Sequence, residues 1–172
     1  MSFISFIFQD WQLNKTNTKG KIIALLFRIA NYSTKGYYAK FYLAPYLVFY
    51  KIVTEWLLGY ELPFSLTVGS GLKVYHGQSL IVHRNTIIGH SCTLRQSTTI
   101  GNSGQSKSCP RIGNHVDIGA HVCIIGDISI GDNVIIGAGS IVVKSIPSNS
   151  IVVGNPARVI KTLNEPVYSY SN

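Results

Sequence analysis

The chain from Ile112 to Ile146 repeats its hydrophobic pattern every six residues. An aliphatic residue occupies each sixth position, and a second series of aliphatic or small residues lies four positions further on. The first series is Ile112, Ile118, Ile124, Ile130, Ile136 and Val142, and the second is Val116, Val122, Ile128, Val134, Ser140 and Ile146. A period of six fits neither the α-helix nor a simple alternating strand. It predicts short strands joined by tight bends, three of which close one triangular coil of about 18 residues.

The same pattern extends upstream of Ile112. Val82, Ile88, Leu94 and Ile100 keep the frame, whereas Val68, Val74 and Leu80 repeat two residues out of phase. We therefore expect a mainly β fold, a parallel β-helix with between four and five coils over residues 62–146. The residues between Ile100 and Ile112 fill two hexads but are polar, so they predict a loop directed away from the coil, where ligands are often bound.

The first 60 residues are predicted to be helical. Apolar residues recur at helical spacing over residues 20–32, and residues 37–60 form a second, more apolar stretch. Pro45 is expected to break or kink that second helix, and Gly59 to end it.

Composition divides the chain near residues 61–70. Sixteen of the 19 aromatic residues lie in residues 1–64, and 13 of the 16 glycines lie in residues 69–154. This predicts a helical N-terminal region over residues 1–60, a β-helix domain over 61–161 and a tail over 162–172. The aromatic helices are expected either to pack in the core or an oligomer interface, or to rest on an anionic membrane surface.

Charge and cysteine content limit the function classes. A net charge of +8 favours anionic partners, but the charges are scattered and no nucleic-acid-binding motif is present, so nucleic acid is not expected. Cys92, Cys109 and Cys123 form no CxxC pair and indicate reduced thiols. The apolar N-terminal run stops at Gln9, a poor match to a signal peptide. These features predict a cytoplasmic protein, with peripheral contact at the inner membrane as an open alternative.

The repeat resembles the hexapeptide-repeat acyltransferase superfamily, which implies a left-handed β-helix and trimers with active sites between subunits. GLKVYHGQSLIVHRNTIIGHSCTLRQSTTIGNSG is similar to the catalytic region of the serine acetyltransferase branch, and IIGAGSIVVKSIPSNSIVVGNPARVIK to its cofactor-binding end. The aromatic N-terminus, GYE before the first coil, HG at the catalytic position and CP–IG after the loop resemble the short acetyltransferases of capsule and colanic acid gene clusters.

The resemblance implies two catalytic residues, with His76 as the general base and Glu61 as the carboxylate that orients its ring. A hydroxyl becomes a good nucleophile when a base removes its proton, and histidine can do so near neutral pH. The two residues are 15 positions apart, a little less than one coil, which predicts adjacent rungs. We therefore expect direct transfer, without an acyl-enzyme. His83, His90, His115 and His121 are expected to be exposed corner residues.

Further site residues also follow from the resemblance. Acetyl-CoA as acyl donor is expected to contact small corner residues and basic side chains, namely Gly119, Ala120, Ala138, Lys144, Arg158 and Lys161. Backbone amides near Gly101 or the 102–110 loop are expected to stabilise the oxyanion of the thioester carbonyl. The serine enzymes carry Asp before the catalytic histidine and an Arg–His pair after the loop. Tyr75 and Ser108–Cys109 occupy these positions here.

These substitutions favour a neutral acceptor. Free serine carries two charges that need charged partners when desolvated, and a sugar does not. The leading hypothesis is an O-acetyltransferase acting on a sugar hydroxyl of a capsular polysaccharide or exopolysaccharide, without a metal. The alternatives are serine O-acetylation, a zinc carbonic anhydrase and a non-catalytic scaffold. The closest histidine pair near the C-terminus, His115 and His121, is six residues apart, whereas a zinc site of this kind requires two histidines five residues apart.

Overall fold

The N-terminal third of the chain is helical. The computed structural model describes residues 2–104 and 107–164, so most of the predicted tail lies outside the described residues. The helices are α1 (Phe3–Ile7), α2 (Thr18–Tyr32) and α3 (Tyr37–Lys51), and α3 continues into a π-helical turn over Ile52–Leu57. Asn17 caps α2 because its side chain accepts a hydrogen bond from the Gly20 amide. Gly59 has a left-handed backbone (φ 66°) just beyond the last turn, as a helix-ending glycine does.

Pro45 lies inside α3 and does not end it, so of the two expected outcomes, a break or a kink, the break does not occur. A proline in a helix removes one backbone hydrogen bond, here the one to the carbonyl of Phe41. Both residues lie on the exposed side of α3, where that carbonyl does not have to be satisfied within a packed core.

The described residues from Thr67 to Thr162 form fourteen short strands in three sheets. The sheets are β1 (Thr67–Val68), β4 (Ile87–Ile88), β7 (Arg111–Ile112) and β10 (Ser129–Ile130); β2 (Lys73–Tyr75), β5 (Thr93–Arg95), β8 (Asp117–Ile118), β11 (Ile135–Ile136), β13 (Ser150–Gly154) and β14 (Ala157–Thr162); and β3 (Ile81–Val82), β6 (Thr99–Gly101), β9 (Cys123–Ile125) and β12 (Ile141–Val142). All pairings between strands are parallel except β13 with β14, which is antiparallel. Successive strands visit the three sheets in turn, so the chain forms a parallel β-solenoid of about four turns.

The two hexad series form the core of the solenoid. Every member of both series is buried, including Ser140, whose hydroxyl donates to the Gly137 carbonyl. The predicted parallel β-helix with a helical N-terminal region is therefore confirmed. No helix within the described ranges is long and apolar enough to cross a membrane.

The change of phase in the repeat marks an enlarged corner between β2 and β3. Val74 and Val82 are consecutive inward residues of the two strands, yet they are eight positions apart rather than six. The two additional residues lie in the corner that contains His76 and Gly77, both with positive φ. Glycine suits position 77 because the backbone there has a φ of 79°, a conformation that strains residues with a side chain.

A buried ion pair attaches the helices to the first coil. Asp10 and Arg28 are each 1% exposed, and Arg28 Nε donates to Asp10 Oδ2 at 2.7 Å. Asp10 also accepts the backbone amides of Gly71 and Leu72 at 2.7 and 3.0 Å. The guanidinium donates in turn to carbonyls of the first coil, so the pair is fully hydrogen-bonded on both sides.

Candidate active site

A cleft of about 540 Å³ lies between the end of α3 and the sheet formed by β3, β6, β9 and β12. Tyr50 anchors α3 beside this cleft by donating its hydroxyl hydrogen to the Leu62 carbonyl at 2.6 Å. Burial raises the pKa of Tyr50 well above its ordinary value, so this donor stays protonated. Charged side chains of both signs line the cleft, namely Lys51, Glu55, Glu61 and Arg84. The cleft can therefore bind a polar ligand.

Glu61 lines this cleft from the strand position below β3. It forms an isolated bridge with Ile81, in which its amide donates to the Leu80 carbonyl at 2.8 Å and its carbonyl accepts the Val82 amide at 2.9 Å. These bonds hold the backbone firmly, while the carboxylate itself is exposed.

His76 lies in the enlarged corner that follows β2, and its ring is exposed. Together with Tyr75, Arg95 and Gln96 it lines a second, smaller depression of about 200 Å³. The structure thus places Glu61 and His76 on adjacent segments of chain, since the Ser79 amide donates to the Gly59 carbonyl, but on different depressions. Within the described residues, neither side chain has a hydrogen-bond partner.

Arg95 organises the depression beside His76, and sequence analysis did not identify it. Its guanidinium forms an ion pair with Asp117, donates to the Ile118 carbonyl at 2.9 Å and lies 5.5 Å from the ring centre of Tyr75. A cation over an aromatic face is favourable, so Arg95 fixes the predicted acceptor contact Tyr75. Arg95 and Asp117 come from the neighbouring strands β5 and β8, a pairing that becomes visible only when the coils are stacked.

Cys109 packs against His83, which corrects the expectation that His83 is merely an exposed corner residue. The thiol Sγ lies 3.0 Å from Nδ1 of His83, which lines the large cleft, and the Asn85 amide donates to the same nitrogen at 3.2 Å. Burial raises the pKa of Cys109, so the thiol stays protonated and donates. Two donors facing Nδ1 require the ring proton on Nε2, leaving His83 an N–H donor for a ligand. Ser108 is half-buried beside Cys109.

The small residues predicted to bind the cofactor stack on the same edge of the solenoid as His76. We call this row of corners, which follow β2, β5, β8 and β11, the His76 edge. Backbone hydrogen bonds connect its levels, such as that from the Gly139 amide to the Ala120 carbonyl at 2.9 Å. A Cβ atom on Gly119 would lie 2.6 Å from the Ala138 amide nitrogen, so the stack leaves no room for a side chain there. His76 and Ala138 are three rungs apart, about 14 Å at the spacing of parallel strands.

Other predicted cofactor residues lie elsewhere. Gly101 and Lys144 belong to the row of corners that follow β3, β6, β9 and β12, which we call the His83 edge. Gly101 lines the large cleft, and Lys144 is exposed. Arg158 and Lys161 are exposed on β14, beyond the last full coil. A single chain therefore does not bring all the predicted cofactor residues together, since the two edges are different corners of the triangular coil.

Candidate metal ligands are not clustered in the part of the chain that the structure describes, where no three His, Cys, Asp or Glu side chains could hold an ion together.

Comparison with known proteins gives relatives along almost the whole chain. A scan against models of protein families found no match. WcaB of Escherichia coli K12, a candidate acetyltransferase of colanic acid biosynthesis, is 38% identical over 156 residues, which cover 88% of this chain and 96% of WcaB. A serine acetyltransferase of Synechococcus elongatus is 39% identical over 106 residues, which cover 60% of this chain and 43% of that enzyme.

Solved structures with the same fold include serine acetyltransferases. The crystal structure of a Brucella abortus serine acetyltransferase in complex with coenzyme A has a TM-score of 0.78 at 25% identity, covering 94% of this chain and 68% of that one. Another structure of the serine acetyltransferase from that organism has a TM-score of 0.77 at 26% identity.

Proposed function

Because the chain belongs to the hexapeptide-repeat acetyltransferases and is itself an acetyltransferase, we propose that it transfers acetyl from acetyl-CoA to a sugar hydroxyl of a bacterial capsular polysaccharide or exopolysaccharide. The observation that carries the choice of acceptor is the extent of similarity. The match to WcaB covers 96% of that protein, whereas the match to the Synechococcus serine acetyltransferase covers 43%. The neutral Tyr75, Ser108 and Cys109 support the same choice, since none supplies the charge that free serine requires.

His76 acts as the general base in this proposal. Its ring takes the proton of the acceptor hydroxyl as the oxygen attacks the acetyl carbonyl, which acetyl-CoA supplies in activated form. In the proposed reaction the Glu61 carboxylate, which lines the neighbouring cleft in this structure, turns toward the ring, holds it in the required tautomer and stabilises the imidazolium that forms. The enlarged corner supports this role, because its two additional residues set the backbone that carries His76 apart from the regular corners of the solenoid.

The coenzyme A arm lies along the His76 edge in this proposal. Gly119, Ala120 and Ala138 fit such an arm, because Gly119 carries no side chain and the two alanines carry only a methyl group where the corners stack. Arg158 and Lys161, both exposed beyond the last coil, offer positive charge to the phosphates.

We propose a homotrimer with sites between subunits, as the resemblance implies, and the division of the predicted residues between two edges supports it. Gly101 and Lys144 on the His83 edge of one subunit would face the His76 edge of the next. Co-expression of a His76→Ala chain with a Lys144→Glu chain tests this arrangement. Mixed trimers should recover part of the activity that each parent lacks, because one interface then contains both native edges. Unchanged inactivity of the mixture would contradict a shared site.

The acceptor is tested directly by following thiol release from acetyl-CoA with serine and with a panel of cell-surface glycans. Glycan acetylation, read as a mass increase of one acetyl group, supports the proposal, and thiol release with serine alone overturns it in favour of serine O-acetylation. Acetyl-CoA is a cytoplasmic metabolite, so the proposal assigns the reaction to the cytoplasm, with peripheral contact at the membrane.

A further inference from the structure

Helix α3 presents an apolar stripe on its outward side. At about 100° per residue, Tyr38, Phe41, Tyr42, Phe49, Ile52 and Trp56 fall within an arc of roughly 100°, which we call the outer stripe. The opposite side of α3 packs inward through Leu47 and Tyr50. Tyr42 is 77% exposed and Trp56 is 84% exposed, so this surface has no cover within the described chain.

The outer stripe differs from an ordinary surface helix. A helix that faces water normally turns charged residues outward, whereas here the charged residues lie beside the stripe. Lys40 and Lys51 both fall on one flank of α3, between the stripe and the inward side, and Lys51 forms an ion pair with Glu55 at 3.8 Å. Contiguous exposed apolar patches of this kind mark contact sites.

We infer that the outer stripe docks α3 on the surface of an anionic lipid membrane. Five of its six side chains are aromatic, and tyrosine and tryptophan favour the membrane–water interface, where an apolar ring and a polar group are both accommodated. Residues 33–57 contain three lysines and one glutamate, so the region attracts a negatively charged surface. A symmetric contact between two copies would instead pair two regions of the same net positive charge. The inference needs neither the proposed acceptor nor the catalytic residues.

Vesicle binding tests this inference with the full chain. Trp11→Phe leaves Trp56 as the fluorescence reporter. With vesicles of phosphatidylcholine and phosphatidylglycerol we expect a blue shift of its emission, cosedimentation, and weakening of both by salt. Vesicles of phosphatidylcholine alone should bind more weakly.

Two variants and a matched control identify the surface. Phe41→Ser/Phe49→Ser/Ile52→Ser and Lys35→Glu/Lys40→Glu should each weaken binding at least about tenfold. Ile160→Ser, which replaces an exposed apolar residue on β14, should bind like the parent chain.

Two results would overturn the inference. One is the absence of binding to anionic vesicles. The other is a change in assembly of the serine-substituted stripe, measured by sedimentation velocity, which would assign the stripe to a contact between copies.

Discussion

Replacing Asp10 with Asn should destabilise the protein severely, although Asp10 is far along the chain from every proposed site residue. The carboxylate accepts four hydrogen bonds, two from Arg28 and one each from the amides of Gly71 and Leu72. Asparagine keeps the size but removes the charge, and its NH2 group cannot accept. An NH2 group in place of Oδ2 removes the acceptor of Arg28 Nε, and one in place of Oδ1 removes the acceptor of both backbone amides and of Arg28 Nη2.

The magnitude follows from the burial of both partners. Removing one partner of a buried ion pair leaves an uncompensated charge, which costs about 3–5 kcal/mol of the free energy of unfolding. For a chain of this length that loss lowers the melting temperature by about 6–20 °C. The double variant Asp10→Leu/Arg28→Met should recover part of the loss, because no buried charge then remains, although the amides of Gly71 and Leu72 stay unsatisfied.

The assay is urea and thermal unfolding followed by circular dichroism, at one protein concentration because association shifts apparent stability. Asp127→Asn, an exposed carboxylate on a coil corner, is the matched control and should change stability by less than about 0.5 kcal/mol. A loss below about 1 kcal/mol for Asp10→Asn would refute the reasoning, since it would mean that the pair is hydrated or dispensable.

Three further predictions concern the proposed site and the core. His76→Ala should lower turnover by a factor of about 10²–10⁴ without changing the melting temperature, and full activity of this variant would refute the assignment. Glu61→Gln should lower turnover less and leave coenzyme A binding, measured by calorimetry, intact. Ala138→Leu should weaken coenzyme A binding by filling the His76 edge, and coenzyme A binding equal to that of the parent chain would place the arm elsewhere. Burial raises the pKa of Cys92 from 9.0 to about 11, so the free energy of unfolding should fall between pH 9 and 11, where the unfolded thiol ionises and the folded one stays protonated. In alkaline unfolding curves, this fall should be smaller for Cys92→Ala than for the parent chain, by up to about 2–3 kcal/mol. The same dependence of unfolding free energy on pH in both proteins would contradict the burial argument.

The regular part of the fold could be predicted from the sequence because its cause is local and repeated. Each hexad has an inward aliphatic position and a bend, and stacking satisfies all of them in the same way. The sequence could not decide between a break and a kink at Pro45, because the cost of a proline depends on whether its side of the helix is packed or exposed, and the local sequence does not contain this information.

The candidate site was less predictable for a different reason. His76 and Glu61 were selected through a resemblance, and their assignment stays a prediction. The contacts of Arg95 with Tyr75 and Asp117, and of His83 with Cys109, join residues on different turns of the solenoid. Such contacts depend on the register of the stacked coils. Cys109 lies in the polar segment between Ile100 and Ile112, where the repeat is interrupted, so its register could not be predicted. Histidine next to a strand end was a weak signal for His83, since most such residues only face water.

The enlarged corner at His76 has a consequence for engineering this protein. Solenoids are commonly stabilised by moving each repeat toward its family average, and such averaging would delete the two supernumerary positions as defects. The resulting protein would stack more regularly, yet the imidazole would retract into line with the ordinary bends. Under the proposed mechanism, stability and catalysis therefore make opposing demands on these few residues, and a library that varies the length of this bend would separate them.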